Sequence, residues 1–333
     1  MKVLLILLFF AFIGFASCKP SPEKERQANF FEINTFVSLL EYDLGLLEEE
    51  IIKLGKVSQE LLENPTLSTS VLSDQNFDLT GVSSNSEPGA DPEKSSLYFP
   101  TSGKDKLAVR EMILLTTPLD EEFKKVVKKF PTVSQVYFNS KIQLNRLFPP
   151  YDVNTMLEPD LDVTKFNFYY KGDEKNNPSK GPVWIEEMYI DPVGRGWMVT
   201  LTQPVYVDGD LKMVLGFDIT LNDIIENYIN KSKKELIIVD RKGTVVAGKT
   251  KAIEALALPS LKNYTYTQTI TSDSYRKEDF NLFKSKDKNV RALADKIINS
   301  NEEELWLSEN KTKLKILSKK MDKLDWYVLE IQF

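Results

Sequence analysis

The stretch that decides the fold opens with Phe166-Asn-Phe-Tyr-Tyr170 and crosses a polar loop. It continues as Pro182-Val-Trp-Ile-Glu-Glu-Met-Tyr-Ile-Asp191, Trp197-Met-Val-Thr-Leu-Thr-Gln-Pro-Val-Tyr-Val207 and Leu211-Lys-Met-Val-Leu-Gly-Phe-Asp-Ile-Thr220. Short runs rich in β-branched and aromatic residues, separated by Gly194-Arg195-Gly196 and by Asp208-Gly209, read as an antiparallel meander. If residues 166–170 are extended, Phe166, Phe168 and Tyr170 share one face and Asn167 and Tyr169 the other. Aromatic side chains at the lip of such a sheet, with a carboxylate returning at Asp218, suggest a small-molecule pocket.

Upstream, apolar positions recur at Phe30, Ile33, Val37, Leu40, Leu44, Leu47, Ile51, Leu54 and Leu61, with Ser58 the one polar member of the series. Steps of three and four predict a helix over 28–63, about 48 Å from the first of these positions to the last at ~1.5 Å per residue. The seam either packs on the chain's own sheets or forms a coiled-coil-like homodimer contact. Phe31, Phe36, Leu39, Leu46 and Ile52 widen the face enough for both uses. Residues 65–105, rich in Ser, Thr, Asp, Asn, Pro and Gly, read as a long loop with few packed elements. Residues 107–115 fit a helix or a strand. A helix is expected over 118–129, with Thr117 as its cap and Pro118 in its first turn. Residues 133–138 and 142–148 read as a hairpin, and 221–229 as a linking helix. In the second half, strands are expected at 236–247 (two, across a turn), 304–307, 313–317 and 326–331. Helices are expected at 252–258 and 289–300.

The N-terminus carries a positive Lys2 and an apolar run over 3–16 that is too short to span a bilayer, the pattern of a secretory signal over 1–17. It ends in Phe15-Ala-Ser-Cys18, which resembles a bacterial lipobox with Phe in place of the usual Leu. This predicts lipidation at Cys18, a tether over 18–27 and an envelope protein held to the membrane by the lipid alone. Cys18 is the only cysteine and there is no histidine, which excludes disulfides within the chain, His metal ligands and Ser/His/Asp triads. The 333 residues are 42% hydrophobic, enough for two cores. The net charge of −6, with both signs interspersed, leaves no basic footprint for nucleic acid.

The order of the central pieces resembles the membrane-distal half of a double Cache domain, the extracytoplasmic sensor module of bacterial chemoreceptors and kinases. The matching pieces are Phe168-Tyr169, Val183-Trp184 leading to Tyr189-Ile190-Asp191, Thr202-Gln203-Pro204-Val205-Tyr206, the Asp208-Gly209 turn and Gly216-Phe217-Asp218-Ile219. The resemblance covers about residues 28–333, weakly after Ile225. It implies an α/β (α+β) fold with one long N-terminal helix and two stacked PAS-like antiparallel-sheet subdomains, distal over 64–230 and proximal over 231–333. Such receptors usually continue into a membrane helix and signalling domains. Here the sequence runs to a final strand, so a free-standing module that signals through a separate membrane receptor is expected.

In the amino-acid-binding members, an Arg two positions before the aromatic pair clamps the ligand carboxylate. That position is Phe166 here, and neighbouring Lys165 would face the other side. Tyr189 falls where the family has a pocket tyrosine, and Asp218 where an aspartate receives the ligand amine. The expected pocket is lined by Phe166, Phe168, Tyr169, Trp184, Tyr189 and Asp218, and suits an amine or quaternary ammonium. Against this, the aromatic run reads equally as sheet core, and Asp218 as a cap for 220–222. Asp208-Gly209 reads as a two-residue turn rather than a calcium loop, and Glu158, Asp160 and Asp162 as a solvated loop. Glu186 and Glu187 point to opposite faces of a strand, one of them to solvent. No nucleophile–base pair or cofactor motif assembles, so the expectation is a ligand-binding module without a cofactor. The alternative is a ligand-free interaction lipoprotein on the same fold.

Overall fold

A computed structural model of the chain describes residues 22–64, 79, 81–309 and 312–333. Cys18 and the signal segment lie outside the described residues, as do residues 65–78 and 80 of the loop expected over 65–105. No helix among the described residues is long and apolar enough to cross a membrane.

Helix α1 runs unbroken over Pro22–Glu63. Every member of the seam, from Phe30 to Leu61, is buried against the two sheets. Ser58 is tolerated there because its hydroxyl donates to the Leu54 carbonyl at 2.8 Å, so no polar atom is stranded. The seam is thus consumed by the chain's own core. A second copy of the chain would have to use the other face, where Phe31 is 69% and Leu39 61% exposed.

The first sheet contains β1 (Ser83–Ser84), β2 (Ser96–Tyr98), β3 (Gln135–Ser140), β4 (Asn145–Phe148), β5 (Val183–Ile190), β6 (Trp197–Val207) and β7 (Asp210–Thr220), in the spatial order β1-β2-β4-β3-β7-β6-β5. The second contains β8 (Leu236–Asp240), β9 (Val245–Gly248), β10 (Glu304–Glu309), β11 (Thr312–Lys320) and β12 (Trp326–Gln332), ordered β10-β11-β12-β8-β9. All pairings are antiparallel. One long helix carrying two antiparallel sheets is the fold class that the Cache resemblance implied. The β6–β7 turn is Asp208-Gly209 at φ 52° and 85°, the positive pair that a two-residue hairpin of right-handed twist requires.

Several local expectations differ from what is observed. Residues 106–115 are helical (α2, Lys106–Leu115), started by Asp105, whose carboxylate accepts the Ala108 amide. The next helix, α3 (Leu119–Lys129), has Pro118 rather than Thr117 at its cap. Thr117 instead donates its hydroxyl back to the Ile113 carbonyl. Residues 95–100 are packed rather than loop: β2 pairs with β4, and the Tyr98 hydroxyl donates to the Glu158 carbonyl. The helix expected over 252–258 is shorter (Thr250–Glu254), and that over 221–229 passes from α into π geometry at Ile225.

Candidate functional site

Strand alternation gives the first sheet two unlike faces. Val136 on β3, Phe217 on β7, Leu201 on β6 and Trp184 on β5 lie in one cross-strand row and face α1. The next row, Gln135, Asp218 and Thr200, faces the other way. Over that second face lie two one-turn helices, α4 (Val153–Met156) and α5 (Asn167–Tyr170), with their flanking loops. They form a separate cluster with Tyr98, Tyr137, Leu147, Tyr151 and Val163. Between cover and sheet is a cavity of about 40 Å³, lined among others by Gln135, Tyr137, Asn139, Phe166, Phe168, Asp191 and Asp218. No lysine or arginine lines it.

Asp218 is the centre of this face. It is 2% exposed and in mid-strand, so it caps nothing; Thr220 and Asp223 form the capping box that starts the next helix. Its Oδ2 accepts from Gln135 Nε2 at 2.6 Å. Its Oδ1 accepts from Thr200 Oγ1 at 2.6 Å, Tyr137 OH at 3.2 Å and Tyr189 OH at 3.5 Å. Tyr189 OH also lies 2.5 Å from Thr200 Oγ1, so the threonine hydroxyl links phenol to carboxylate. Tyr137 reaches Asp218 by lying across Gly216, where a Cβ would be driven into the tyrosine ring.

A second carboxylate stands beside the first. Asp191 directly follows β5 and ties down the Gly194–Gly196 turn, accepting the Val193 and Arg195 amides at 3.1 Å each. Its Oδ2 is 3.4 Å from the same Gln135 Nε2. Neither acid belongs to an ion pair among the described residues, whereas buried Asp120 holds Arg146 at 2.7 Å and buried Glu330 holds Lys234 at 3.3 Å. The Arg195 guanidinium donates to the Pro149 carbonyl at 3.4 Å and forms no ion pair with Asp191, although its charge pulls the Asp191 carboxyl down against the effect of burial. Burial first, and then the charge of Asp191, push the Asp218 carboxyl up to about 7 against the pull of its donors. Burial likewise raises Asp191, and it raises Tyr137 and Tyr189 with the Asp218 charge adding to the effect.

Of the six residues the sequence placed in one pocket, Phe166, Phe168 and Asp218 line this cavity, and Tyr189 reaches Asp218 from its edge. Phe166, Tyr189 and Trp184 line an open cleft of about 780 Å³. The Phe166 ring stacks on Phe168 at 4.9 Å, and Phe168 lies 5.8 Å from both Tyr137 and Tyr189, roofing the Asp218 cluster. The roof is not a strand: Phe166 is extended and 167–170 make one helical turn, so 168 and 169 diverge. Tyr169 is accordingly buried with Leu211 and Val214, farther along β7. Trp184 is on the α1 side, where its indole donates to Glu48 at 2.8 Å. Sequence reasoning missed Gln135, Tyr137, Asn139 and Thr200, and used Asp191 only as a motif letter. The signal was the alternation in Gln135-Val-Tyr-Phe-Asn139, whose polar members share one face of a central strand. Glu186 and Glu187 both turn toward the second half: Glu186 accepts the Asp325 amide, and Glu187 pairs with Lys242 at 2.9 Å. Asp162 caps the short turn at Val163–Lys165.

No protein-family model matches this chain, and no curated protein sequence does. Among solved structures it is similar to the sensory domain of the Campylobacter jejuni chemoreceptor Tlp3 with isoleucine bound (14% identity, 94% of this chain and 97% of that chain, TM-score 0.46). It is also similar to the extracellular domain of the putative histidine kinase soHK1S-Z6 (15%, 89% and 96%, TM-score 0.42). A third is the ligand-binding domain of the Pseudomonas aeruginosa PAO1 amino acid chemoreceptor PctB in complex with L-Gln (13%, 70% and 78%, TM-score 0.41).

Proposed function

We propose that this chain is an exported sensory module that captures a small cationic amine between its first sheet and the Phe166–Phe168 roof. The observation that carries the reading is Asp218: a carboxylate buried beside a second one, with neither ion-paired among the described residues, in a cavity lined by no cation. A ligand carboxylate there would be desolvated without a partner, a cost of several kcal/mol, whereas an ammonium supplies the missing charge. Aromatic faces at Phe168, Tyr137 and Tyr189 add about 0.5–2 kcal/mol each. At about 40 Å³ the cavity has room for a water or two. Admission of an amine therefore requires the roof to lift. Tyr189 sits on β5, whose Glu186 and Glu187 hold Asp325 and Lys242 of the second half. Ligand contact at Tyr189 thus has a route to the proximal sheet, and from there to a separate receptor.

The size of the cavity favours one other reading, a ligand-free interaction lipoprotein. A thermal-shift panel of alkylamines, amino acids and organic acids separates the two. A ligand at 100 times its Kd stabilises by ~2.7 kcal/mol. Amines should shift the wild type and not Asp218→Ala, while Asp208→Asn at the exposed turn responds as wild type. Silence toward every amine would favour the ligand-free reading, and tight binding of a simple organic acid that survives Asp218→Ala would reject the cation site. The anchor is tested separately: intact mass of the mature protein should show an acylated N-terminal Cys18.

A further inference from the structure

Gln135, like Asn139 farther along β3, is a polar group of this face whose side chain is only half used, and it is the one in contact with Asp218. Its Nε2 donates to Asp218 Oδ2 at 2.6 Å and stands 3.4 Å from Asp191 Oδ2. Its Oε1 is buried and has no hydrogen-bond partner among the described residues. An amide NH₂ between two carboxylates, one N–H toward each, stands where a cation would ordinarily sit. The placement is fixed by the sheet. Gln135 lies directly opposite Asp218 across the β3–β7 ladder, and Asp191 is pinned by two backbone amides. A buried acceptor left without a donor costs about 1–3 kcal/mol, so the arrangement is a poor end state for the glutamine itself.

We infer that the Gln135 amide is a placeholder in the ammonium subsite, and that the ligand head group is a primary ammonium that displaces it. The inference rests on the reading of Asp218 as cation anchor and sharpens it. When the amide turns over, three acceptors converge: Asp218 Oδ2, Asp191 Oδ2 and Gln135 Oε1. A primary ammonium has three N–H donors to meet them. A quaternary ammonium has none, and would leave Gln135 Oε1 and Asp218 Oδ2 without a donor, although Asp218 Oδ1 and Asp191 keep their protein partners. Gln135 and Asp191 thereby become specificity residues: they select the number of donors on the nitrogen, where Asp218 alone would select only charge.

The test uses the full mature chain and two probes, propylammonium and tetramethylammonium chloride, by calorimetry and thermal shift at pH 8, above the value of about 7 to which the Asp218 carboxyl is raised. Wild type should prefer propylammonium by at least about tenfold. Gln135→Lys places a tethered ammonium between the two acids. It should raise the melting temperature of the free protein and lose the response to propylammonium. Gln135→Met, which removes both placeholder and third acceptor, should still bind propylammonium while discriminating less against tetramethylammonium. If Gln135→Lys still binds propylammonium like wild type, or if wild type takes both probes equally, the placeholder is overturned. The cation site itself stands or falls on the loss of both responses in Asp218→Ala. Should Gln135→Lys fail to fold, the wild-type preference between the two probes decides alone.

Discussion

Replacing Asp218 by Asn should make this protein more stable at pH 8, although the aspartate accepts hydrogen bonds from Gln135, Tyr137 and Thr200. Its carboxyl titrates from 3.8 in the unfolded chain to about 7 in the fold, because burial and Asp191 disfavour the charged form. Between those values the folded state binds the proton more tightly. The stability contributed by this group is therefore fully present below pH 3.8 and lost as pH rises through 7. The span corresponds to ~4 kcal/mol at about 1.36 kcal/mol per pH unit. Asn is nearly isosteric and cannot ionise. Its amide NH₂ would meet Gln135, which has a free Oε1 to turn toward it. The variant should match wild type near pH 4 and exceed it by up to ~4 kcal/mol at pH 8. Urea denaturation followed by circular dichroism at several pH values between 4 and 8 measures this. Asp208→Asn, at the exposed hairpin tip, should run parallel to wild type throughout. Parallel curves for wild type and Asp218→Asn would refute the reasoning, since they would mean that Asp218 is not held unpaired in the core. A variant that is both stabilised at pH 8 and silent to amines would show a carboxylate retained for binding at the expense of stability.

Three further outcomes follow from the packing. Trp184→Phe removes the indole bond to Glu48 and should cost about 1.5–3 kcal/mol in denaturation, while leaving the alkylammonium response intact because Trp184 lies on the α1 face. Gly216→Ala drives a methyl into the Tyr137 ring. It should cost about 1–3 kcal/mol and weaken amine binding by pushing Tyr137 off Asp218, read by denaturation and calorimetry on the same sample. Asp120→Ala strands Arg146, which is 2% exposed, and should cost about 3–5 kcal/mol, with unchanged ligand preference in whatever fraction remains folded.

The sequence was most legible where a single periodicity held over many residues. The three-four spacing from Phe30 to Leu61 allowed one helix with one buried face, and Ser58 fitted because a helix offers its own carbonyl to a serine hydroxyl. Period two and a positive-φ pair located the β6–β7 hairpin and put Asp218 in its strand. Periodicity failed over 166–170, because five residues rich in aromatics satisfy a strand and a covering turn equally well. It could have done better at Trp184. Trp184 and Tyr189 are five apart, and in a regular strand an odd interval sends two side chains to opposite faces. The bulge between Ile185 and Tyr189 adds two residues and preserves that parity. The two side chains therefore leave β5 on opposite faces, with the indole held on the α1 side by the Glu48 carboxylate.

What no local pattern could supply is the depth of Asp218. β7 is an interior strand of the larger sheet, with β3 on one side and β6 on the other. Any side chain on its outer face is walled by both neighbours and roofed by whatever crosses above. The neighbours contributed Gln135 and Thr200, and the roof contributed Phe168, from segments 83, 18 and 50 residues distant in sequence. The same carboxylate on an edge strand would be solvated and electrically ordinary. Its carboxyl is raised because strand order placed it between two neighbouring strands while no lysine or arginine lines the cavity beside it. The arginine that might have joined it, Arg195, is carried on a turn whose amides hold Asp191 while its guanidinium reaches for the Pro149 carbonyl. The chain thus brings two acids together with no ion pair to either among the described residues, so that Asp218 is neutralised by a proton or, on the reading proposed above, by a ligand.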